Sequence, residues 1–295
     1  ADAELKIALF QIIKGGERCV YGLNEYHTTT KVQNGDTLWR KGDLEAYGTW
    51  HGFRSSDQLS DGTIWDMYST TKRYFPINDG SAAGMDIEHS LPKSWWGGTE
   101  NDAYKDLYHL NPSDAQANQT GKNSYPPGMV DSLVKFDNGT FKQGYMKGHK
   151  FRVFEPADVY KGDFARAYFY IATAYGNLSW ASAANEYLDN TSYLEFRPWL
   201  IEVLLSWHRS DPVSQKEIER MKVIFTAQNN RNPYIDYPDL VEYIWGNKKG
   251  QVVNFATLLC TLDDDYTPLE DKTNFQCYPA QLLEDGRYNI RWSDF

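Results

Sequence analysis

Four stretches in the second half of the chain restrict its fold more than any other feature. KGDFARAYFYIATAYGN, YLEFRPWLIEVLLSWHR, SQKEIERMKVIFTAQN and DLVEYIWGN each repeat apolar side chains every third or fourth residue, and Asp211-Pro212 and Asn232-Pro233 separate them. That period lines one face of an α-helix, and the residue before a proline is steered out of helix. The expectation is a helical layer over roughly 161–246, which must bury its apolar faces against something else. AELKIALFQIIK, with Leu5, Ala8, Leu9, Ile12 and Ile13 at the same spacing and a stop at Gly15-Gly16, predicts one more helix. From Cys19 to Gly84 the chain is turn-rich and aromatic, with a short strand expected in SDGTIWDMYS after the Asp61-Gly62 turn. LVKFDNGTFKQGYMKGHKFRVFEP reads as a strand pair closed at Asn138-Gly139, residues that tolerate the positive φ of tight hairpins. No internal repeat or low-complexity tract interrupts this order, and the class it predicts is α+β.

With 295 residues and 41% hydrophobic content, the chain can bury a substantial core. No apolar run reaches the length needed to cross a bilayer. The opening ADAELK has neither Met nor a cationic stretch before an apolar block, and is expected to be a processed start. Three cysteines, Cys19, Cys260 and Cys277, show no CxxC spacing for zinc; one bridge, such as Cys260 to Cys277, leaves a thiol over. A net charge of −10 argues against a protein that coats polyanions through its whole field. The charge is uneven, however. Ser132–Arg152 carries Lys135, Lys142, Lys147, Lys150 and Arg152 against Asp137, whereas Cys260–Phe295 is net acidic. A local basic strip can face a phosphate backbone, with an affinity that falls as salt rises; the same residues also suit an ordinary solvated hairpin face.

The chemistry concentrates in DIEHSLP and DLYHLNPSDAQANQTGKN. Hydrolysis of a phosphodiester needs a base for water, a cation beside the phosphoryl oxygens and compensation for the leaving oxygen. His89 suits the base, because an imidazole of pKa about 6.5 is largely neutral at physiological pH. Glu88 suits Mg²⁺, a hard ion that keeps several waters and needs only one or two protein oxygens. A neutral amide such as Asn118, 29 residues beyond His89, can supply the second oxygen. DIEHSLP and KDLYHLNP are short, β-tolerant and ended by proline, and Ser113 and Asp114 are good caps for a helix that follows. Strand, loop, strand and short helix would then fold back on one another. Adjacent strand residues face opposite sides, so Glu88 and His89 can share a site only if the strand twists or ends there; Pro92 favours an early end.

These residues resemble bacterial endonuclease I, a family of secreted or periplasmic ββα-metal (His-Me finger) nucleases. The likeness rests on EHSLPKSWWG, DLYHLNPSDAQAN, FEPADVYKGDFARAYFYIATAY, LLSWHRSDPVS and QNNRNPYIDYPDLVEYIWG, in the family's order. It implies a ββα-metal finger core with additional helices and a β-hairpin in a single nuclease domain over 1–246, with 247–295 as an appendage packed on it. It also implies sequence-non-specific cleavage of DNA, with RNA as the open alternative, to 5′-phosphate products by a monomer outside the cytoplasm, with no membrane part. By the same resemblance His89 is the general base and Glu88 and Asn118 are the ligands of one Mg²⁺ per site, with Ca²⁺ or Mn²⁺ able to substitute. Asn118 lies six residues after Pro112, as the ligand asparagine does in the family. Where such enzymes often carry arginines after that asparagine, this chain has QTGKNSYP, with Lys122 the nearby cation.

Lys93, Lys122 and Arg166 are candidate phosphate contacts, against the plainer reading of surface charges or ion-pair partners. Asp106, His109 and Asn123 are candidate supports for the ligands, against that of core, turn or cap groups. Two other functions compete: a catalytically silent nucleic-acid-binding module, suggested by the missing arginines, and a carbohydrate-active protein, suggested by 15% aromatic content, 10 tryptophans and abundant acids. The absence of HExxH argues against a zinc protease.

Overall fold

The computed structural model describes residues 2–14, 31–33, 36–39, 48–77, 80–137, 139–189, 195–261, 281–282 and 288–289. Helix α1 (Asp2–Ile13) precedes a small antiparallel pair, β1 (Lys31–Gln33) and β2 (Asp36–Trp39), and helix α2 (Thr49–Ser56). Strands β3 (Met85–His89) and β4 (Leu110–Asp114) form an antiparallel pair, followed directly by a π-helical turn, Ala117–Lys122. A three-stranded antiparallel sheet comes next, β5 (Ser132–Asp137), β6 (Phe141–Tyr145) and β7 (Arg152–Pro156), and then the helical layer: α3 (Lys161–Ala174), α4 (Pro198–Ser210), α5 (Gln215–Gln228), α6 (Pro233–Asp236) and α7 (Leu240–Ile244). The class is α+β.

Helix α3 is the axis of the core, since all fourteen of its residues are buried. Phe169 stacks on Trp245 at 4.5 Å between ring centroids, and Tyr68, Phe154 and Phe164 meet edge to face or tilted at 5.2–5.9 Å. Thus α3 joins the helices on one side to the β5–β7 sheet on the other. Burial on all sides forces its charged groups to find partners. Arg166 donates two hydrogen bonds to Glu217 at 2.7 and 2.6 Å and a third to the Asp211 carbonyl at 2.9 Å.

Three local expectations are corrected. SDGTIWDMYS forms isolated bridges, Gln58 with Ile64 and Thr63 with Tyr74, rather than a strand, because Asp61 turns the chain by accepting from the Thr63 amide and hydroxyl. Helix α4 begins at Pro198, not in YLEFR; Glu195–Phe196 pairs as a short strand with Leu188–Asp189, and proline is well placed at a first helical turn. The second strand of the β3–β4 pair starts later than expected and runs through Pro112, which lies opposite Ile87. A two-stranded pair has an outer edge that needs no amide donor, so proline is tolerated. The hairpin expected around Asn138-Gly139 is present as β5–β6, with Gly139 at φ +82°; Asn138 itself lies outside the described residues. Cys19 and Cys277 also lie outside them, as does most of 262–295; Thr261 docks on α6 through the carbonyls of Ile235 and Asp236.

The first turn of α3 lies against the end of α4 at Gly162, whose amide donates to Asp211 Oδ2 at 2.8 Å. A Cβ there would stand 2.0 Å from the Asp211 carbonyl oxygen. Gly162→Ala is therefore expected to cost about 1–3 kcal/mol by overpacking and to lower the melting temperature by several degrees. A variant melting with the wild type by calorimetry would contradict this contact.

Candidate active site

Strand β3 ends at His89, and its residues Met85 to His89 all lie along one cleft, Glu88 and His89 among them. Glu88 pairs with Asn111 and His89 with Leu110; the Ser90 amide makes one more bond to the His109 carbonyl at 2.9 Å before Pro92 turns the chain away. Glu88, His89, Lys93, Asn118 and Asn123 line one cleft of about 640 Å³, together with Asp86, Ser94, Gln119 and Ser124. The π-helical turn is set by its ends. Asp114 Oδ1 accepts from the amides of Gln116 and Ala117, both at 3.0 Å, which is the capping role its position suggests. At the other end Asn123, at φ +44°, returns its amide to the Asn118 carbonyl at 2.7 Å. Gln119 ties the turn to β3 by donating to Asp86 at 2.8 Å.

The imidazole of His89 is oriented by a backbone carbonyl. Its Nε2 lies 3.0 Å from the Tyr104 oxygen, which can only accept, so Nε2 carries the proton and Nδ1 is the basic nitrogen of the neutral ring. Burial, with help from His109, Lys93 and Lys122, holds the His89 pKa well below the usual histidine value, against the upward pull of the Tyr104 carbonyl. The ring is neutral through the physiological range. Glu88 is 7% exposed, and Lys122 Nζ stands 3.5 Å from its Oε1. Burial pushes the Glu88 carboxyl up, while Lys122 pulls it down less strongly.

The remaining candidates occupy different places. Lys93 is exposed at the cleft, donating to the Tyr104 hydroxyl at 3.1 Å. Lys122 is fully buried behind Glu88, where it donates to the Asn123 carbonyl and lies over the Phe154 ring at 5.4 Å. It supports the carboxylate rather than facing the cleft. Arg166 is wholly buried in α3 and committed to Glu217, away from the cleft lining. His109 is a buried imidazole bonded to the Ala103 carbonyl, its ring 5.4 Å from that of His89. Asp106 accepts from the Tyr108 amide, the Tyr170 and Tyr175 hydroxyls and Gln228 at 2.7–3.0 Å; it fixes the loop that carries Tyr104. Sequence reading missed Asp86, Gln119 and the Tyr104 carbonyl. Asp86 was accessible by period, because residues two apart on a strand share a face; the carbonyl carries no sequence signal.

The model of the Endonuclease I family matches residues 3–239. The chain belongs to the endonuclease I family. It is similar to the extracellular ribonuclease of Bacillus amyloliquefaciens, with 31% identity over 206 residues that cover 66% of each chain. It is also similar to the extracellular ribonuclease of Bacillus subtilis (strain 168), with 30% identity over 228 residues, 74% of this chain and 73% of that one. The family is one of nucleases, enzymes that break the phosphodiester links of nucleic acid.

The buried Arg166–Glu217 pair gives a direct check on the plainer role of Arg166. Arg166→Met leaves Glu217 buried without its counter-charge, and such a loss costs about 3–5 kcal/mol. Chemical denaturation should show that loss. Unchanged stability together with weakened substrate binding would restore Arg166 as a substrate contact.

Proposed function

We propose that this chain is a Mg²⁺-dependent, sequence-non-specific endonuclease, acting outside the cytoplasm as its relatives' names say of them. The reading is supported chiefly by one observation: the adjacent carboxylate and imidazole of Glu88 and His89 and the amide of Asn118, 29 residues beyond His89, line the same cleft. That donor set fits magnesium. It offers hard oxygens from Glu88 and Asn118, with room in the cleft for the waters the ion retains.

In this mechanism Glu88 and Asn118 would hold the cation, and Lys122 supports Glu88 from behind. Bound there, Mg²⁺ would polarise a phosphoryl oxygen and offset charge on the leaving oxygen. His89, with Nε2 held by the Tyr104 carbonyl, accepts a proton at Nδ1 from the attacking water. The new P–O bond forms as the bond from phosphorus to O3′ breaks, and O3′ takes a proton from solvent. The products are a 5′-phosphate and a 3′-hydroxyl. Lys93, exposed at the rim, supplies positive charge to the substrate's backbone. DNA is the substrate expected from the family, and the ribonuclease names of both relatives make RNA its equal.

Plasmid nicking and digestion of a long RNA, each with and without EDTA, test the reading. His89→Ala is expected to lower cleavage by about 10²–10⁴-fold, the usual worth of a positioned base, while calorimetric Mg²⁺ binding persists. Asn118→Ala should raise the magnesium concentration needed for half-maximal rate. Intact substrates at high enzyme and millimolar magnesium, or equal activity of both variants at limiting metal, would overturn it.

A further inference from the structure

Beside the cleft lies a surface that the proposed chemistry does not use. Ser124 lines the cleft and bonds Ser94 across it at 3.2 Å, and the next residue is Tyr125. Arg152 packs between Tyr125 and Tyr145, with its guanidinium carbon 5.8 and 6.0 Å from their ring centroids and Nη1 donating to the Tyr125 hydroxyl at 3.3 Å. Phe151 follows, and its ring meets Tyr187 at 5.2 Å and Trp199 at 5.3 Å; His149 meets Trp199 at 4.7 Å. Tyr187 in turn stacks at 4.8 Å on Trp95, in the 3₁₀ turn Lys93–Trp96 that forms the cleft wall.

These rings differ from the core aromatics in burial. Tyr125, Tyr145, His149, Phe151, Tyr187 and Trp199 are each half-buried, whereas Tyr68, Phe154 and Phe164 are sealed. Lys147 and Lys150, both exposed, neighbour them in the chain together with Arg152; Asp131 accepts from the Lys147 amide at 2.8 Å, and the Glu186 carbonyl accepts from the Trp199 indole at 3.1 Å. Half-open rings interleaved with cations have the chemistry of a surface that stacks bases while it neutralises their phosphates. A duplex hides its base faces in its own stack, so a flexible single strand is the ligand that can use both parts. Resting on the nuclease reading of the adjacent cleft, we infer that Tyr125, Arg152, Phe151, His149 and Trp199 form a stacking platform that binds an unpaired stretch of polynucleotide running out of the cleavage site. The enzyme's preferred substrate class is then single-stranded nucleic acid, or duplex frayed near the cut.

Fluorescence anisotropy in EDTA, where cutting plays no part, tests this with a labelled oligothymidylate of about a dozen nucleotides and a blunt duplex of the same length. Losing a stacking ring weakens single-strand binding by about 5- to 100-fold. Trp199→Ala and Phe151→Ala should each show such a loss on the single strand and less than about a twofold change on the duplex; Trp199→Phe should retain the affinity. Arg152→Gln, a change at a partly exposed side chain, gives an independent reading and should weaken the single strand several-fold. Equal losses on both ligands, wild-type affinity in Trp199→Ala, Phe151→Ala and Arg152→Gln alike, or a lowered melting temperature with unchanged binding would overturn the platform. Binding without strand cleavage by the wild type would leave the platform and remove the nuclease reading. Cleavage with variants that bind normally would remove the platform alone.

Discussion

The carboxylate of Asp106 is the contact on which the candidate site depends. Fully buried, it accepts from two tyrosine hydroxyls on and just after α3, from Gln228 at the end of α5 and from the Tyr108 amide. An acceptor in that setting is costly to bury unless satisfied, and here it is satisfied from two helices and its own loop. The loop between β3 and β4 is thereby fastened to the helical layer. That fastening sets Tyr104, whose carbonyl sets the ring of His89. Gln228 reinforces it by accepting from the Leu107 amide at 2.7 Å, and Arg220 by donating to the carbonyls of Leu107 and Leu110. A base needs a fixed orientation more than it needs partners of its own, and the helices provide this from outside the cleft.

Opposed electrical demands meet on the other side of the site. A carboxylate taken from water needs positive charge nearby, and Lys122 supplies some of it from a fully buried position. Because that lysine sits behind Glu88, the cleft side of the carboxylate is the side left for a cation of another kind. The same burial keeps His89 neutral, since nearby Lys93, Lys122 and His109 all disfavour a second positive charge. The low-dielectric setting disfavours charge on both groups: it keeps the imidazole neutral and raises the Glu88 carboxyl, which Lys122 in part pulls back toward the charged form.

Much of this was legible in the sequence, and what was missed has identifiable causes. Helix α5 was readable from its apolar spacing, and the structure adds the Ser214 cap and the left-handed Asn229 that bound it. Adjacent Glu88 and His89 pose a geometric problem for one strand, and the structure puts both residues along the cleft together with the rest of β3. Of the two readings of Arg166 the structure favours the ion-pair partner: periodicity suggested one buried face of α3, whereas all fourteen residues are buried, Arg166 included. Lys122 was placed near the right group but on the wrong side of it, since sequence cannot distinguish a cation facing phosphate from one supporting a carboxylate. The bridges at Gln58–Ile64 and Thr63–Tyr74 are single pairings around the Asp61 turn, too short to leave an alternating strand pattern in the sequence. The Tyr104 carbonyl is a backbone group and leaves no trace in residue type.

Anomalous diffraction from crystals grown with Mn²⁺ tests the central claim most directly, because manganese shares magnesium's preference for oxygen ligands. The account predicts one strong peak in the cleft, bonded to a Glu88 carboxylate oxygen and the Asn118 amide oxygen, with a metal-bound water in hydrogen-bond reach of His89 Nδ1. A peak held by other residues, or a cleft without one at saturating manganese, would contradict it.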